Sequence, residues 1–219
     1  MPAKNALKHY SENGYYHLYN RGVAKGPVFL DQQDYLVFMS FTKEYLSAPK
    51  IPTAEELLLM KTPYILKNYW HEITLLSFVL MPNHIHLLLK QKQSRSIESF
   101  MRSLFTRYVK YFNKKHDRVG HLFQDVYKGI LVEKDEYLLW VSRYIHCNPQ
   151  EIILPNQVLT NYSFSSYSTY LGLQNQTWVD PSDILAQFKN KKDYQNFVED
   201  NEKEKDAPEM LSEFVLDSV

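Results

Sequence analysis

Met81-Pro82-Asn83-His84-Ile85-His86-Leu87-Leu88-Leu89 is a turn followed by an apolar run. Pro82-Asn83 has turn chemistry. Upstream, Ile73 to Met81 is apolar and rich in β-formers, the pattern of a buried strand. His84 to Gln91 returns as its neighbour, which makes an antiparallel hairpin. Side chains alternate between the faces of a strand, so His84 and His86 project from one side, roughly 6–7 Å apart. Two imidazoles on one face of a rigid strand can grip one metal ion. A His-x-His pair alone is equally compatible with ordinary strand histidines, so the rest of the chain has to decide.

On the N-terminal side, residues 1–13 are polar and expected to fray. Gly14 to Gly22 reads as a strand bounded by glycines, with Tyr15, His17 and Tyr19 on one face and Tyr16 and Leu18 on the other. His17 reads as a structural strand residue. Asp31 suits the N-cap of a helix over about 31–47, in which Tyr35, Phe38, Met39 and Thr42 recur at helical spacing. Pro49 and Pro52 break the chain. Thr53-Ala54-Glu55-Glu56 has the capping-box pattern, which predicts a short helix at about 53–62 within an insertion at 48–66.

On the C-terminal side, Ser96 to about Lys115 is the clearest helix. Ile97, Phe100, Met101, Leu104, Phe105, Tyr108, Tyr111 and Phe112 form its apolar stripe. A loop at Val119–Gln124 and a strand at Tyr127–Glu133 follow. Asp135 is read as the cap of a last helix, closed by Asn148-Pro149 because a residue before proline avoids the α region. The order β-α-β-β-α-β-α suits an α+β, ferredoxin-like antiparallel sheet with helices on one face. Residues 1–155 are assigned to that domain. Residues 156–219, with helices at about 181–188 and 191–200, read as a small helical appendage with an acidic end.

The 219 residues are 44% hydrophobic, enough for a sizeable core. Cys147 is the single cysteine, so no intrachain disulfide can form and a reducing compartment is expected. No run approaches the roughly 20 apolar residues of a membrane span, and a soluble cytoplasmic protein is expected. Net charge is zero, but unevenly distributed: residues 90–128 hold ten Lys/Arg against three Asp/Glu, and residues 180–219 hold five against eleven. A basic middle suits a nucleic-acid backbone. Arg102, Arg107, Lys110, Lys114, Lys115 and Arg118 are its candidate phosphate contacts.

Tyr137, Trp140, Tyr144 and Asn148 step along one face of the last helix. Tyr137 and Trp140 read as core. Asn148 offers an amide oxygen, a legitimate third ligand for a hard or borderline divalent ion. A phenol beside a metal-bound phosphate can act as a nucleophile.

Together these residues resemble the HUH single-strand endonucleases, and more narrowly the REP-associated tyrosine transposases, relatives of the insertion-sequence single-strand transposases. His84-Ile85-His86 matches the His-hydrophobe-His signature. Four further stretches match in order: Tyr16-His17-Leu18-Tyr19-Asn20-Arg21-Gly22, Gly120-His121-Leu122-Phe123-Gln124, Arg143-Tyr144-Ile145-His146-Cys147-Asn148-Pro149 and Phe164-Ser165-Ser166-Tyr167. The resemblance implies a metal-dependent single-stranded DNA endonuclease and strand transferase, forming a 5′-phosphotyrosine on hairpin-containing DNA such as REP elements. It makes Tyr144 the catalytic tyrosine and His84, His86 and Asn148 the ligands of Mg²⁺ or Mn²⁺. It adds Asn20, Arg21, His121, Phe123 and Gln124 to the DNA contacts, with Phe123 and Tyr127 as base-stacking rings, and a cytoplasmic, nucleoid-associated location. Insertion-sequence relatives act as homodimers and REP-associated members can be monomeric, so it fixes no oligomeric state.

Phe123 stands where the family usually has Trp, Asn148 where insertion-sequence relatives carry Gln, and the 48–66 insertion is not a family feature. The rival readings are a non-catalytic single-strand binding module, a hydrolase using a metal-bound water, and a structural zinc site. The last lacks the four ligands that closed zinc sites use.

Overall fold

The protein's structure is a computed structural model and describes residues 10–49, 53, 55, 66–154 and 156–200. The expected helix at 53–62 apart from Thr53 and Glu55, residues 1–9 and the acidic end beyond Asp200 lie outside the described residues. Among the described residues four strands form: β1 (Tyr15–Arg21), β2 (Ile73–Met81), β3 (His84–Gln91) and β4 (Lys128–Val132). They build one antiparallel sheet in the order β2-β3-β1-β4. Helix α1 (Gln32–Leu46) joins β1 to β2, α2 (Ser96–Lys115) joins β3 to β4, and α3 (Asp135–Cys147) follows β4. This is the expected ferredoxin-like α+β arrangement.

The register fixes the two faces. Tyr19 lies opposite His86 and Arg21 opposite His84, while Val79 flanks His86 from β2. One face therefore carries His17, Tyr19, Arg21, His84 and His86. The other carries Tyr16, Leu18, Ile85, Leu87 and Leu89, all buried. Both faces are apolar enough to require cover.

α1 and α2 cover the face without histidines. The Ile97 backbone N–H donates to the Gln91 side chain at 3.2 Å, and Tyr10 links Tyr16 of β1 to Tyr127, which packs beside Phe105 of α2. Phe38 meets Tyr108 edge-on at 5.0 Å, packing α1 on α2. The one-face arrangement expected of the helices thus describes α1 and α2. α3 takes the histidine face.

Asp31 caps α1 as expected. Its side chain accepts from the Asp34 N–H at 3.1 Å, and Asp34 reciprocates, which completes a capping box. Asp135, by contrast, is the first residue of α3, and Lys134 holds the cap position.

Residues 156–200 do not stand apart as an appendage; they share the core. Ser165 bridges Val79 on the outer edge of β2. The Leu80 N–H donates to the Phe164 carbonyl, and the Ser166 N–H to that of Phe78, so the edge strand is paired. Helices α4 (Tyr167–Tyr170), α5 (Ser182–Leu185) and α6 (Lys191–Glu199) follow. Arg143 on α3 donates from Nε to the Phe197 carbonyl and from Nη2 to that of Asp200, each at 2.9 Å. The polar look of residues 161–170 hid this packing. Tyr170 is fully buried, and its hydroxyl donates to the Leu76 carbonyl at 2.9 Å.

Gly22 ends β1 beside the hairpin turn, where its N–H donates to the Asn83 carbonyl at 2.9 Å. A Cβ there would lie 2.0 Å from the Gly26 carbonyl oxygen. Gly22→Ala is expected to destabilise the fold by about 1–3 kcal/mol, the usual cost of overpacking, read as a lower urea midpoint with an unchanged slope.

Candidate active site

The β2–β3 hairpin and α3 bring four of the expected residues together. His84 and His86 have ring centroids 5.1 Å apart. The Tyr144 ring stands edge-on to His86 at 5.2 Å and to His17 at 6.0 Å. One turn later, Asn148 Oδ1 lies 3.1 Å from His84 Nε2. Asn148 was expected to close the helix from outside the α region. Instead it is helical, with φ −47° and ψ −41°, and the chain runs on as a 3₁₀ turn to Glu151. Tertiary contacts override the pre-proline preference. The Asn148 side-chain amide donates to the Tyr144 carbonyl at 2.9 Å while its oxygen meets His84.

The protons available at His84 leave room for a cation. A neutral imidazole carries one N–H, yet His84 has an oxygen at each ring nitrogen. Asn83 Oδ1 lies 2.7 Å from Nδ1, and Asn148 Oδ1 lies 3.1 Å from Nε2. Both amides are oriented by their NH₂ groups, which donate to the carbonyls of Lys25 and Tyr144. Burial pushes the His84 pKa down, against the imidazolium that could satisfy both oxygens. With the proton on Nδ1, the Nε2 and Asn148 lone pairs face one another, an arrangement that a cation relieves. His86 is fully buried, which holds it neutral. Its Nδ1 lies 2.8 Å from His17 Nε2, and its own Nε2 has no hydrogen-bond partner. Two imidazole nitrogens and an amide oxygen fit a hard or borderline divalent ion.

The expected DNA contacts divide into groups. Arg21 lies opposite His84 on the site's own face, and its charge further lowers the pKa values of both histidines. Lys110, Lys114, Arg118, His121 and Gln124 are exposed. Arg102 is exposed and paired with Glu98. Arg107 is paired with Glu44 at 2.8 Å and lies over the Phe41 ring. Lys115 donates to Asp31 and Asp34 at 2.7–2.9 Å.

Three further expectations meet the core. Asn20 is buried, accepting from the Arg21 N–H and donating to the Asp125 carbonyl, so it clamps the 120–125 loop. Phe123 is 7% exposed and stacks on Phe105 at 4.5 Å, and Tyr127 is 5% exposed. Neither ring presents a face for an unpaired base, because α2 already covers both. The basic surface of α2 and the histidine site therefore lie on opposite sides of the sheet.

Asp31, Asp34 and His116 also converge closely enough to suggest a metal group. The Lys115 ammonium already sits among these carboxylates, and His116 Nε2 is 3.0 Å from Asp34 Oδ2. This cluster ties the end of α2 to the cap of α1.

His146 carries no local sequence signal of the role its distant partners give it. It is fully buried between the Tyr194 hydroxyl at 2.7 Å and Ser166 Oγ at 2.8 Å, joining α3 to the C-terminal segment. Burial pushes His17 and His146 each down to about 3. The unfolded chain protonates these imidazoles below about pH 6.5, whereas the folded protein resists until near pH 3. Stability is therefore intact above pH 6.5 and lost as the pH falls towards 3. The expected loss is up to about 1.4 kcal/mol per pH unit for each histidine. Urea midpoints at pH 7 and pH 5 check this, and equal midpoints would refute it.

Residues 60–148 match the family model described as transposase IS200 like. The matched span contains His84, His86, Tyr144 and Asn148, and the match bears out the resemblance read from the motifs. A solved REP-associated tyrosine transposase, bound to a REP hairpin, aligns at 14% identity over 81% of this chain and 92% of its own, with a TM-score of 0.52. A candidate transposase from Deinococcus radiodurans R1 aligns at 15% identity over 66% and 95%, with a TM-score of 0.36. The tRNA(His) guanylyltransferase of Saccharomyces cerevisiae aligns at 14% over 94% and 86%, also with a TM-score of 0.36. At these identities the first alignment establishes a shared fold, and the other two carry no argument. No curated protein sequence matches the chain. Among the described residues, no helix is long and apolar enough to cross a membrane.

Proposed function

We propose that this chain, similar over residues 60–148 to the IS200-like transposases, is a metal-dependent single-stranded DNA endonuclease and strand transferase with Tyr144 as its nucleophile. The observation that carries the reading is the convergence of Tyr144, His84, His86 and Asn148 within one chain. Tyr144 Oη attacks the scissile phosphorus in line. The Oη–P bond forms and the P–O3′ bond breaks, which leaves a 5′-phosphotyrosine and a 3′-oxygen that takes up a proton. A free phenol has a pKa of about 10, so the Tyr144 hydroxyl has to give up its proton, here to solvent water, as the Oη–P bond forms. Arg21 holds the phosphate from the same face. A divalent cation on His84, His86 and Asn148, Mg²⁺ or Mn²⁺, would supply Lewis-acid polarisation of the phosphate. The phosphotyrosine keeps the ester linkage, so a 3′-OH can later attack it and rejoin strands.

The substrate is hairpin-containing DNA of the REP type with flanking single strand, met in the cytoplasm at the nucleoid. Arg21 meets its phosphates at the site, and the exposed Lys110, Lys114 and Arg118 across the sheet offer charge only to DNA that extends round to that side, so affinity falls with salt. The test is incubation of the protein with hairpin oligonucleotides and Mn²⁺, a denaturing gel, and peptide mapping of any adduct. An adduct on Tyr144 is expected. Cleavage without an adduct points to a water-using hydrolase, and binding without cleavage to a recognition module.

A further inference from the structure

We infer that His17 is a positioning residue, accepting the Nδ1 proton of His86 and so holding His86 Nε2 as a metal ligand. The inference rests on the metal-site reading above and adds a residue to it. His17 is fully buried on β1, on the face that carries His86. The two rings are close to parallel, 11° apart with centroids at 5.0 Å, and His17 Nε2 lies 2.8 Å from His86 Nδ1. One proton occupies that gap, so two arrangements exist. If His17 donates, His86 carries its proton on Nε2 and has no lone pair to offer there. If His86 donates, Nε2 is a bare lone pair, the form a metal requires. His86 Nε2 has no protein partner that would select the first arrangement.

Ligating histidines generally donate their second N–H to an outer group that fixes tautomer and ring orientation. His17 is the acceptor at that position. A carboxylate there would bring a charge into the core. A neutral imidazole supplies the lone pair without one, and its parallel ring braces His86 against rotation. An apolar ring in its place leaves the Nδ1–H without an acceptor whenever Nε2 binds metal, and that cost falls on the metal-bound state. Tyr144 also leans on both rings, so the contact aligns nucleophile and ligand together.

Mn²⁺ binding to the full chain, followed by calorimetry and by electron paramagnetic resonance, tests this. His17→Phe is expected to weaken Mn²⁺ binding by about 10- to 100-fold. His17→Gln can place an amide oxygen near the former Nε2 and is expected to restore most of that loss. A folded His17→Phe protein with unchanged affinity overturns the inference while leaving the metal site standing. Wild-type protein that binds no Mn²⁺ overturns the site and the inference together. Should His17→Phe fail to fold, long-range ¹H–¹⁵N correlation in the Mg²⁺-loaded wild type decides the matter. A proton on His17 Nδ1 with a bare Nε2 supports the assignment, and a proton on His17 Nε2 overturns it.

Discussion

A Tyr144→Phe protein is expected to bind hairpin DNA as the wild type does and to form no covalent adduct. The substitution removes one oxygen and keeps the ring that stands edge-on to His86 and His17. Tyr144 is half-buried and packed against the core, and because its ring is kept the change in stability should stay within about 1 kcal/mol. Binding by fluorescence anisotropy and adduct formation on a denaturing gel separate the two effects. An adduct that persists in the variant sinks the assignment of Tyr144 and sends the search to another hydroxyl. Loss of binding together with loss of the adduct would mean that the phenol holds DNA without reacting.

The second large effect is expected at Asn148. In wild-type protein, Mn²⁺ at a hundred times its Kd should stabilise the fold by about 2.7 kcal/mol through mass action. Asn148→Ala removes the oxygen opposite His84 Nε2. If affinity falls tenfold, the same Mn²⁺ concentration stabilises by only about 1.4 kcal/mol. The metal-free protein should lose much less than a buried amide usually costs, because the substitution also removes an oxygen that faces a lone pair. A thermal-shift series with and without Mn²⁺ reads both quantities. Equal Mn²⁺-induced shifts in the two proteins would exclude Asn148 as a ligand.

Much of the fold was legible because its signals are local. The apolar run to Met81, the turn at Pro82-Asn83 and the stripe from Ile97 to Phe112 gave β2, β3 and α2 their observed bounds. Strand alternation put His84 and His86 on one face and helical spacing put Tyr144 and Asn148 on another, while the resemblance to the single-strand transposases supplied their roles. What was not legible depends on residues distant in sequence. The pairing of His17 with His86 is set by the register of β1 on β3, across 69 positions. Lys115 and Arg107 looked like phosphate contacts until α1 brought Asp31, Asp34 and Glu44 beside them. Phe123 and Tyr127 read as base-stacking rings, and only the position of Phe105 on α2 shows them to be core. A local rule also failed at Asn148, where contacts with His84 and Tyr144 outweigh the influence of Pro149.

α3 has a second set of anchors. Arg143 and Cys147 bond to the carbonyls of Phe197, Asp200 and Val198, while the opposite side of the helix lies on the sheet. A helix gripped on two sides is poorly placed to swing out and lend its tyrosine to another copy. In the proposed reaction, one polypeptide then contains everything that bond breaking requires. Adduct formation should be first order in protein, with turnover per chain unaffected by dilution.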